Sequence, residues 1–481
     1  MSEYWPHITF FAALEVIVTI CVITWVLMTK RDSTAAMAWC LVVILVPLIG
    51  AFLFGVFGYQ RVNRPLGKRR RHRLQFRSGH TTWSREASHG SRPDDAPSQT
   101  WNRLGELALQ VNAFPVSPGN AVTLYDDTQK AFDTLLEAIA AARHHIHLEF
   151  FIIRGDSTGQ RVVDLLAEKA RQGVQVRLLY DAVGGFHLRR RVLRPLRDAG
   201  AKIDTFLPVT LAPFRFRVNL RNHRKITVVD GKVGFTGGMN IGDEYLGKSA
   251  YFGYWRDTFL RLEGPAVAAL QRIFIEDWDF AYGEPLSGNV YFPDPVKAGD
   301  HVVQVVESGP DQEVNSLRQI YFAAILAARE RVWIASPYFV PDVALLDALR
   351  LACYRGVDVR LLTLLKPDHY LSFYASRYYY EDMLKVGAKI YQYARGMMHA
   401  KMLLIDGQWG VTGSANLDNR SLHLNFEVGC LLHSPELVVE LEKAYRRDLR
   451  DAVRLDEQTF AARRFLSRLA ENACRLLSPT L

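Results

Sequence analysis

A short stretch is written twice in this chain, and the duplication limits what the chain can fold into more than any other feature. The first copy runs from His223-Arg224-Lys225 through Asp230-Gly231 to Gly237-Gly238-Met239-Asn240. The second runs from His399-Ala400-Lys401 through Asp406-Gly407 to Gly413-Ser414-Ala415-Asn416. In both, Lys follows His by two residues, Asp follows Lys by five and Asn follows His by seventeen. One such spacing is weak. Two copies that agree at His, Lys, Asp and Asn imply two equivalent halves contributing to one site.

Each copy dictates a local structure. His and Lys lie two apart and share one face of a strand. Asp-Gly is a hairpin turn, because Gly tolerates and Asp permits the torsions required. The chain returns over Val233–Thr236 or Trp409–Thr412 and ends on Gly-Gly or Gly-Ser. Small residues there, Gly238 and Ser414, let backbone amides approach a ligand. Asn240 and Asn416 come back toward the His-Lys face. Imidazole, ammonium, amide and backbone N–H on one surface suit a phosphate. The hairpin gives Asp230 and Asp406 a structural task as turn residues, so they are expected to support the site rather than perform chemistry.

Both copies match the pattern H-x-K-x4-D-x6-G-[GS]-x-N in full. On that pattern the chain from about residue 118 to 450 resembles the phospholipase D superfamily, and its apolar N terminus makes it similar to the bacterial cardiolipin synthases within it. The resemblance implies a catalytic motif set of His223, Lys225, Asp230, His399, Lys401 and Asp406. One neutral imidazole attacks phosphorus while the other, protonated, donates to the leaving alkoxide. Analogy makes His223 the nucleophile and His399 the acid and then base, a choice the symmetric sequence leaves open. Lys225, Lys401, Asn240, Asn416 and Ser414 would hold the non-bridging oxygens. A later carboxylate in each half, Asp257 or Glu427, would accept a hydrogen bond from its histidine's second nitrogen. The implied substrates are two molecules of phosphatidylglycerol, giving cardiolipin and glycerol, with no cofactor. A membrane phospholipase D that uses water fits the same residues. A nuclease of the superfamily and a non-catalytic scaffold are the remoter alternatives, and the scaffold is disfavoured because neither motif has lost a residue.

The duplication extends beyond the motifs. Ala141–Phe151 parallels Ala327–Pro337, Arg171–Leu179 parallels Tyr354–Leu362, and Gly200–Ile203 parallels Gly387–Ile390. Helices and strands alternate in each half, which argues for α/β sandwiches built on a mixed sheet, residues 118–300 and 301–450, facing each other by pseudo-twofold symmetry. The Pro-bearing loop with Pro208, Pro213, Phe214 and Phe216 lies before the first histidine and is either a membrane-touching or an ordinary packed loop.

The ends of the chain speak for a membrane. Ile8–Met28 is apolar apart from Glu15, and Ala35–Gly58 carries no charge. A bilayer-spanning helix needs about 20 residues, so residues 1–60 are expected to form a two-helix transmembrane hairpin, with Glu15 as a polar contact inside it. Arg61–Arg77 then carries 8 positive charges and no acid. The positive-inside rule places this end and the catalytic body in the cytoplasm, at a bacterial inner membrane, and the run can also grip anionic phospholipids. The whole chain is +9, so without this run the rest is +1, which leaves no basic groove for nucleic acid. Ser78–Thr100 reads as a flexible linker within a 61–117 connector. Residues 451–481 form a tail in which Arg463, Arg464, Arg468 and Arg475 interleave with Phe465, Leu466, Leu469, Leu476 and Leu477, suited to a membrane surface or to docking on the body. Tyr370, Phe373, Tyr374 and Tyr378 sit at helical spacing and read as a core stripe. Five scattered cysteines, with no C-x-x-C or H-E-x-x-H, indicate neither disulfides nor a metal site. Nothing in the sequence sets the oligomeric state.

Overall fold

Apolar β-rich runs alternate with capped helices twice over, and the strands of the two halves take up the same order. The computed structural model describes residues 5–30, 33–58, 96–208 and 219–481. From its outer edge the first half runs Lys202–Phe206, Gln175–Asp181, His145–Phe150, Ile226–Val229, Val233–Gly237, Phe259–Glu263, Ser117–Tyr125. The second runs Lys389–Tyr393, Asp358–Leu364, Arg331–Ala335, Met402–Ile405, Trp409–Gly413, Asn425–Leu432, His301–Ser308. Ser117–Tyr125 and His301–Ser308 pair antiparallel and join the halves into one mixed, sixteen-stranded sheet. The strands joined by crossover helices pair in parallel, and the motif hairpins pair antiparallel. This is the expected α/β sandwich with two repeated halves.

Helices cover the sheet, and their starts are legible. Asp127, Asp156 and Asp342 cap Thr128–Ala141, Ser157–Arg171 and Val343–Tyr354 by accepting from amides two or three residues on. Both motif strands, Ile226–Val229 and Met402–Ile405, are buried along their whole length, as strands covered on both faces must be. The turns between motif strands have φ +53° at Asp230 and +67° at Gly231, and +54° at Asp406 and +68° at Gly407, the left-handed pair that Asp-Gly supplies.

The N-terminal region forms a unit of its own. Trp5–Thr29 is a single helix, and its Ala12–Thr29 part is long and apolar enough to cross a membrane. The second apolar run does not form a matching straight span. Its helix Ser33–Leu45 stops at Val46, with φ −140° and ψ 74°, and a second helix, Pro47–Leu53, follows. Proline pushes the residue before it out of the helical region. The short helix lies against its predecessor because Gly50 has no side chain; a Cβ there would sit 2.7 Å from the carbonyl oxygen of Val42. Phe54 thereby stands edge-on to both Trp25 and Trp39, at 5.2 and 5.4 Å between centroids. Glu15 is exposed rather than packed between helices.

Other expectations need adjustment. The basic run Arg61–Arg77, most of the linker, and Pro213, Phe214 and Phe216 lie outside the described residues. The end of the presumed linker is not loose: Ala96–Gln110 is a helix that buries Trp101, Leu104 and Ala108 in the core of the second half. Trp101 stacks on Trp409 at 5.9 Å and donates to Gln408 at 2.9 Å. The aromatic stripe on Tyr370–Lys385 is not core. Tyr370 is exposed and Phe373, Tyr374 and Tyr378 are half-buried, because the C-terminal helix Phe465–Arg475 packs across that helix.

Candidate active site

The sheet alone does not bring the two histidines together; two short strand pairings between the halves do. Arg221–Asn222 pairs in parallel with Asn425–Phe426 of the other half, and the His223 amide continues the ladder to the Phe426 carbonyl at 2.9 Å. The mirror-image pairing is Gly396–Met398 on Tyr254–Arg256, and the His399 amide reaches the Arg256 carbonyl at 2.7 Å. Each histidine therefore emerges beside the residue that follows the paired segment of the other half. Those residues are Glu427 and Asp257.

The result is a crossed arrangement. His223 Nδ1 donates to Glu427 Oε2 at 3.0 Å, and His399 Nδ1 donates to Asp257 Oδ2 at 2.6 Å. The sequence supplied both carboxylates, but it assigned each to the histidine of its own half; the structure exchanges them. The exchange follows from the strand pairing, which places residue 427 next to 223 and residue 257 next to 399. With Nδ1 committed as donor, the Nε2 lone pair is the one available for attack or for proton exchange.

The small residues at the hairpin ends make room for the carboxylates or bond to them. The amides of Gly238 and Ser414 are consumed in backbone bonds to Thr258 O and Val428 O, at 3.1 and 2.9 Å. A Cβ on Gly238 would come within 2.1 Å of Asp257 Oδ1; glycine makes room for that carboxylate. At the equivalent place the Ser414 hydroxyl donates to Glu427 Oε2 at 2.5 Å, the same oxygen that accepts from His223. Gly238 and Ser414 each thus lie against the carboxylate of their own half. Asn240 Oδ1 accepts from the Ile152 amide at 3.2 Å, and Asn416 Nδ2 donates to Asp418 at 3.1 Å. These asparagines tie neighbouring loops to the hairpins, and Asn416 keeps a buried Oδ1 without a partner among the described residues.

The lysines complete one charged cluster. Lys225 Nζ donates to the His223 carbonyl at 2.6 Å, and Lys401 Nζ donates to that of His399. Burial pulls Lys225 down to about 7 and Lys401 to about 8, and the site's carboxylates only partly offset it. Burial also pulls His223 down to about 4 against the pull of Glu427, and lowers His399. Burial opposes ionisation of Glu427, but His223, Lys225 and the Ser414 hydroxyl outweigh it and hold the carboxyl at about 2. Asp257 is lowered for the same reason by His399 and Lys401. Each histidine also feels the lysine of the other half. Two neutral imidazoles, two anionic carboxylates and two weakly held ammonium charges therefore share one desolvated site.

Asp230 and Asp406 do not join this cluster. Four strand residues at about 3.3 Å each separate them from the lysines. Asp230 accepts from the amides of Arg143, His144 and His145 at 2.8–2.9 Å, and Asp406 from those of Arg329, Glu330 and Arg331 at 2.8–2.9 Å. They anchor the hairpin tip to the start of the neighbouring strand.

Several contributors were invisible in the motif. Phe151 lies edge-on to His223 at 5.0 Å and Trp255 lies 5.1 Å from His399, walling the imidazoles. Asp181 accepts from the Asn222 amide at 2.9 Å, and the Ser336 hydroxyl accepts from the Leu417 amide at 3.0 Å. Arg224, between His223 and Lys225, is fully buried, bonded to Glu427 O at 3.2 Å and paired with Asp277 and Glu307. A charged residue at a site where the second copy has Ala400 was the available signal.

Comparisons with known proteins agree on where the chain belongs. A family profile described as "Cardiolipin synthase, PLD-like domain" matches residues 135–278 and 321–449, one segment in each half. A profile described as "Phospholipase_D-nuclease N-terminal" matches residues 16–58. Cardiolipin synthases of Geobacillus kaustophilus (strain HTA426) and Geobacillus sp. (strain WCH70) are 41% identical over 456 and 460 residues, each covering 94% of this chain and 90% of the relative. Among solved structures, phosphatidylserine synthase of Haemophilus influenzae Rd KW20 has the same fold, with TM-score 0.62 at 16% identity over 79% of this chain and 100% of that one.

Proposed function

Given that the chain belongs to the cardiolipin synthase family with phospholipase D-like domains, we propose that it joins two phosphatidylglycerol molecules into cardiolipin and glycerol through a phosphatidyl-histidine. The observation that carries the reading is the crossed pair of histidine–carboxylate bonds, which gives one site two imidazoles with free Nε2 atoms. His223 Nε2 attacks the phosphorus of the first lipid. The bound anionic phosphate and Asp257 stabilise His399 as an imidazolium protonated at Nε2; the bond from phosphorus to the headgroup glycerol oxygen breaks, and His399 gives that oxygen its Nε2 proton. A hydroxyl of the second lipid's glycerol then loses its proton to His399 and attacks phosphorus, releasing His223. Lys225 and Lys401 stabilise the charge on the non-bridging oxygens.

The bond lengths favour this division of labour. Asp257 holds His399 at 2.6 Å, while Glu427 holds His223 at 3.0 Å and shares the same oxygen with Ser414. The carboxylate with the shorter, unshared bond is better placed to stabilise an imidazolium, which suits His399 to carry the proton. His223, held neutral, suits attack.

On this reading the substrates are anionic phospholipids. The first apolar helix spans the membrane, the second apolar run completes the anchor, and Arg61–Arg77 keeps the catalytic body on the cytoplasmic face of a bacterial inner membrane. The decisive assay supplies purified protein with headgroup-labelled phosphatidylglycerol in vesicles. Cardiolipin with released labelled glycerol is expected; phosphatidic acid as the lipid product would show hydrolysis instead.

A further inference from the structure

The C-terminal helix is built inside out. Its inward residues are Ser467, Ala470, Glu471 and Cys474, and Glu471 is fully buried between Arg377 at 2.9 Å and Arg463 at 2.7 Å. Its apolar residues face away: Phe465 is 75% exposed, Leu466 74%, Leu469 53%, Leu476 72% and Leu477 44%. At about 100° per residue, Phe465, Leu466, Leu469 and Leu476 fall within one arc of about 100° opposite Glu471. Arg464, Arg468 and Arg475 share the edge between the docked and the apolar faces. A helix that spends its polar face on the protein and leaves leucines outward has its second partner elsewhere.

Position says what that partner is. After the helix, Ser478–Leu481 turns onto the segment that follows the second motif. The Leu481 carbonyl accepts from the Arg420 amide at 2.7 Å, Thr480 O from the Arg420 side chain at 3.0 Å, and Ser478 O from Asn419 at 3.1 Å. The same guanidinium donates to Asn219 O at 2.8 Å, just ahead of His223. The end of this helix thus leads directly to the segments that flank both motifs. An arginine row flanking exposed leucines is complementary to anionic headgroups above acyl chains.

We propose that Phe465–Leu477 is a bilayer-docking surface, inserted at the headgroup level of an anionic membrane, which sets the cleft rim against the lipid it draws from. This rests on the lipid-acting reading of the site, but contact and turnover can be read separately. The full chain is reconstituted in phosphatidylglycerol-containing vesicles with a small share of phosphatidylglycerol bearing an acyl-chain diazirine. After photolysis, lipid adducts are expected on the Phe465–Leu477 peptide as well as on the Trp5–Thr29 helix, whether or not the lipid is turned over. Adducts confined to the N-terminal helix would overturn the proposal. The Leu466→Glu/Leu469→Glu double variant should lose the C-terminal adducts and roughly tenfold or more of its activity on vesicles. It should keep its activity on monomeric short-chain phosphatidylglycerol. Equal activity on vesicles, with the fold intact, would contradict the docking role.

Discussion

A carboxylate beside each imidazole fixes its tautomer, yet both imidazoles stay neutral at rest, because burial costs the charged form more than the carboxylate returns. The lysines pay a similar penalty, and this sets a pH dependence. Lys225 loses its proton as pH rises through about 7 and Lys401 through about 8, so kcat/KM is expected to fall between neutral and mildly alkaline pH. Stability should move the other way. The unfolded lysine titrates at 10.5, so above about 7 the unfolded chain binds more protons than the native one, and stability rises with pH. A parallel loss of activity and of stability over that range would contradict the assignment. Glu427→Gln and Asp257→Asn should each lower kcat by roughly 10⁴, the scale of losing a tautomer-fixing carboxylate in a triad, with the fold retained by circular dichroism. Gly238→Ala should be as damaging, because its methyl meets Asp257. The two motifs, both carboxylates and the supporting role of Asp230 and Asp406 were readable from spacing and turn chemistry. The exchange of carboxylates was not, because it depends on Arg221–Asn222 pairing with a strand some two hundred residues away. Nor was the service Ser414 gives Glu427, since a hydroxyl at a hairpin end looks equally ready for a phosphate.

The motif hairpins are held at both ends, and the far end is an independent handle. Asp230 and Asp406 each satisfy three backbone amides. Replacing either by Ala leaves those donors short of partners, at a cost of about 1–3 kcal/mol. Asp406→Ala should therefore lower the denaturation midpoint while leaving the pH profile of kcat/KM unmoved; a shifted profile would place the aspartate in the chemistry. The helix Ala96–Gln110 gives a second test, since truncating a buried Trp costs about 3–5 kcal/mol. Trp101→Ala should show most of that loss in chemical denaturation, whereas a true linker would show none. This helix is hard to read from the sequence because Pro97 and Ser98 carry the composition of the preceding segment into its first turn. The break at Pro47 was visible as a proline inside an apolar run, but length and lack of charge outweighed it.

At the scale of the whole molecule, one chain builds a two-sided site by duplication. The halves share an antiparallel seam, Ser117–Tyr125 against His301–Ser308, and then each lends the other a carboxylate. Neither half holds a complete histidine–carboxylate pair, so the site forms only when both are folded and docked. Symmetry of this kind leaves the two histidines formally alike, and the chemistry must break the tie. The direct measurement uses a phosphatidyl ester of p-nitrophenol, whose leaving group needs no proton from His399. With His399→Asn, a burst of about one equivalent of p-nitrophenolate is expected, followed by a stall. Mass spectrometry after a denaturing quench at mildly alkaline pH, where the P–N bond survives, should find the phosphatidyl group on His223. No adduct at all, or the same adduct formed on His399 by a His223→Asn chain, would contradict a site in which His223 attacks and His399 moves the proton.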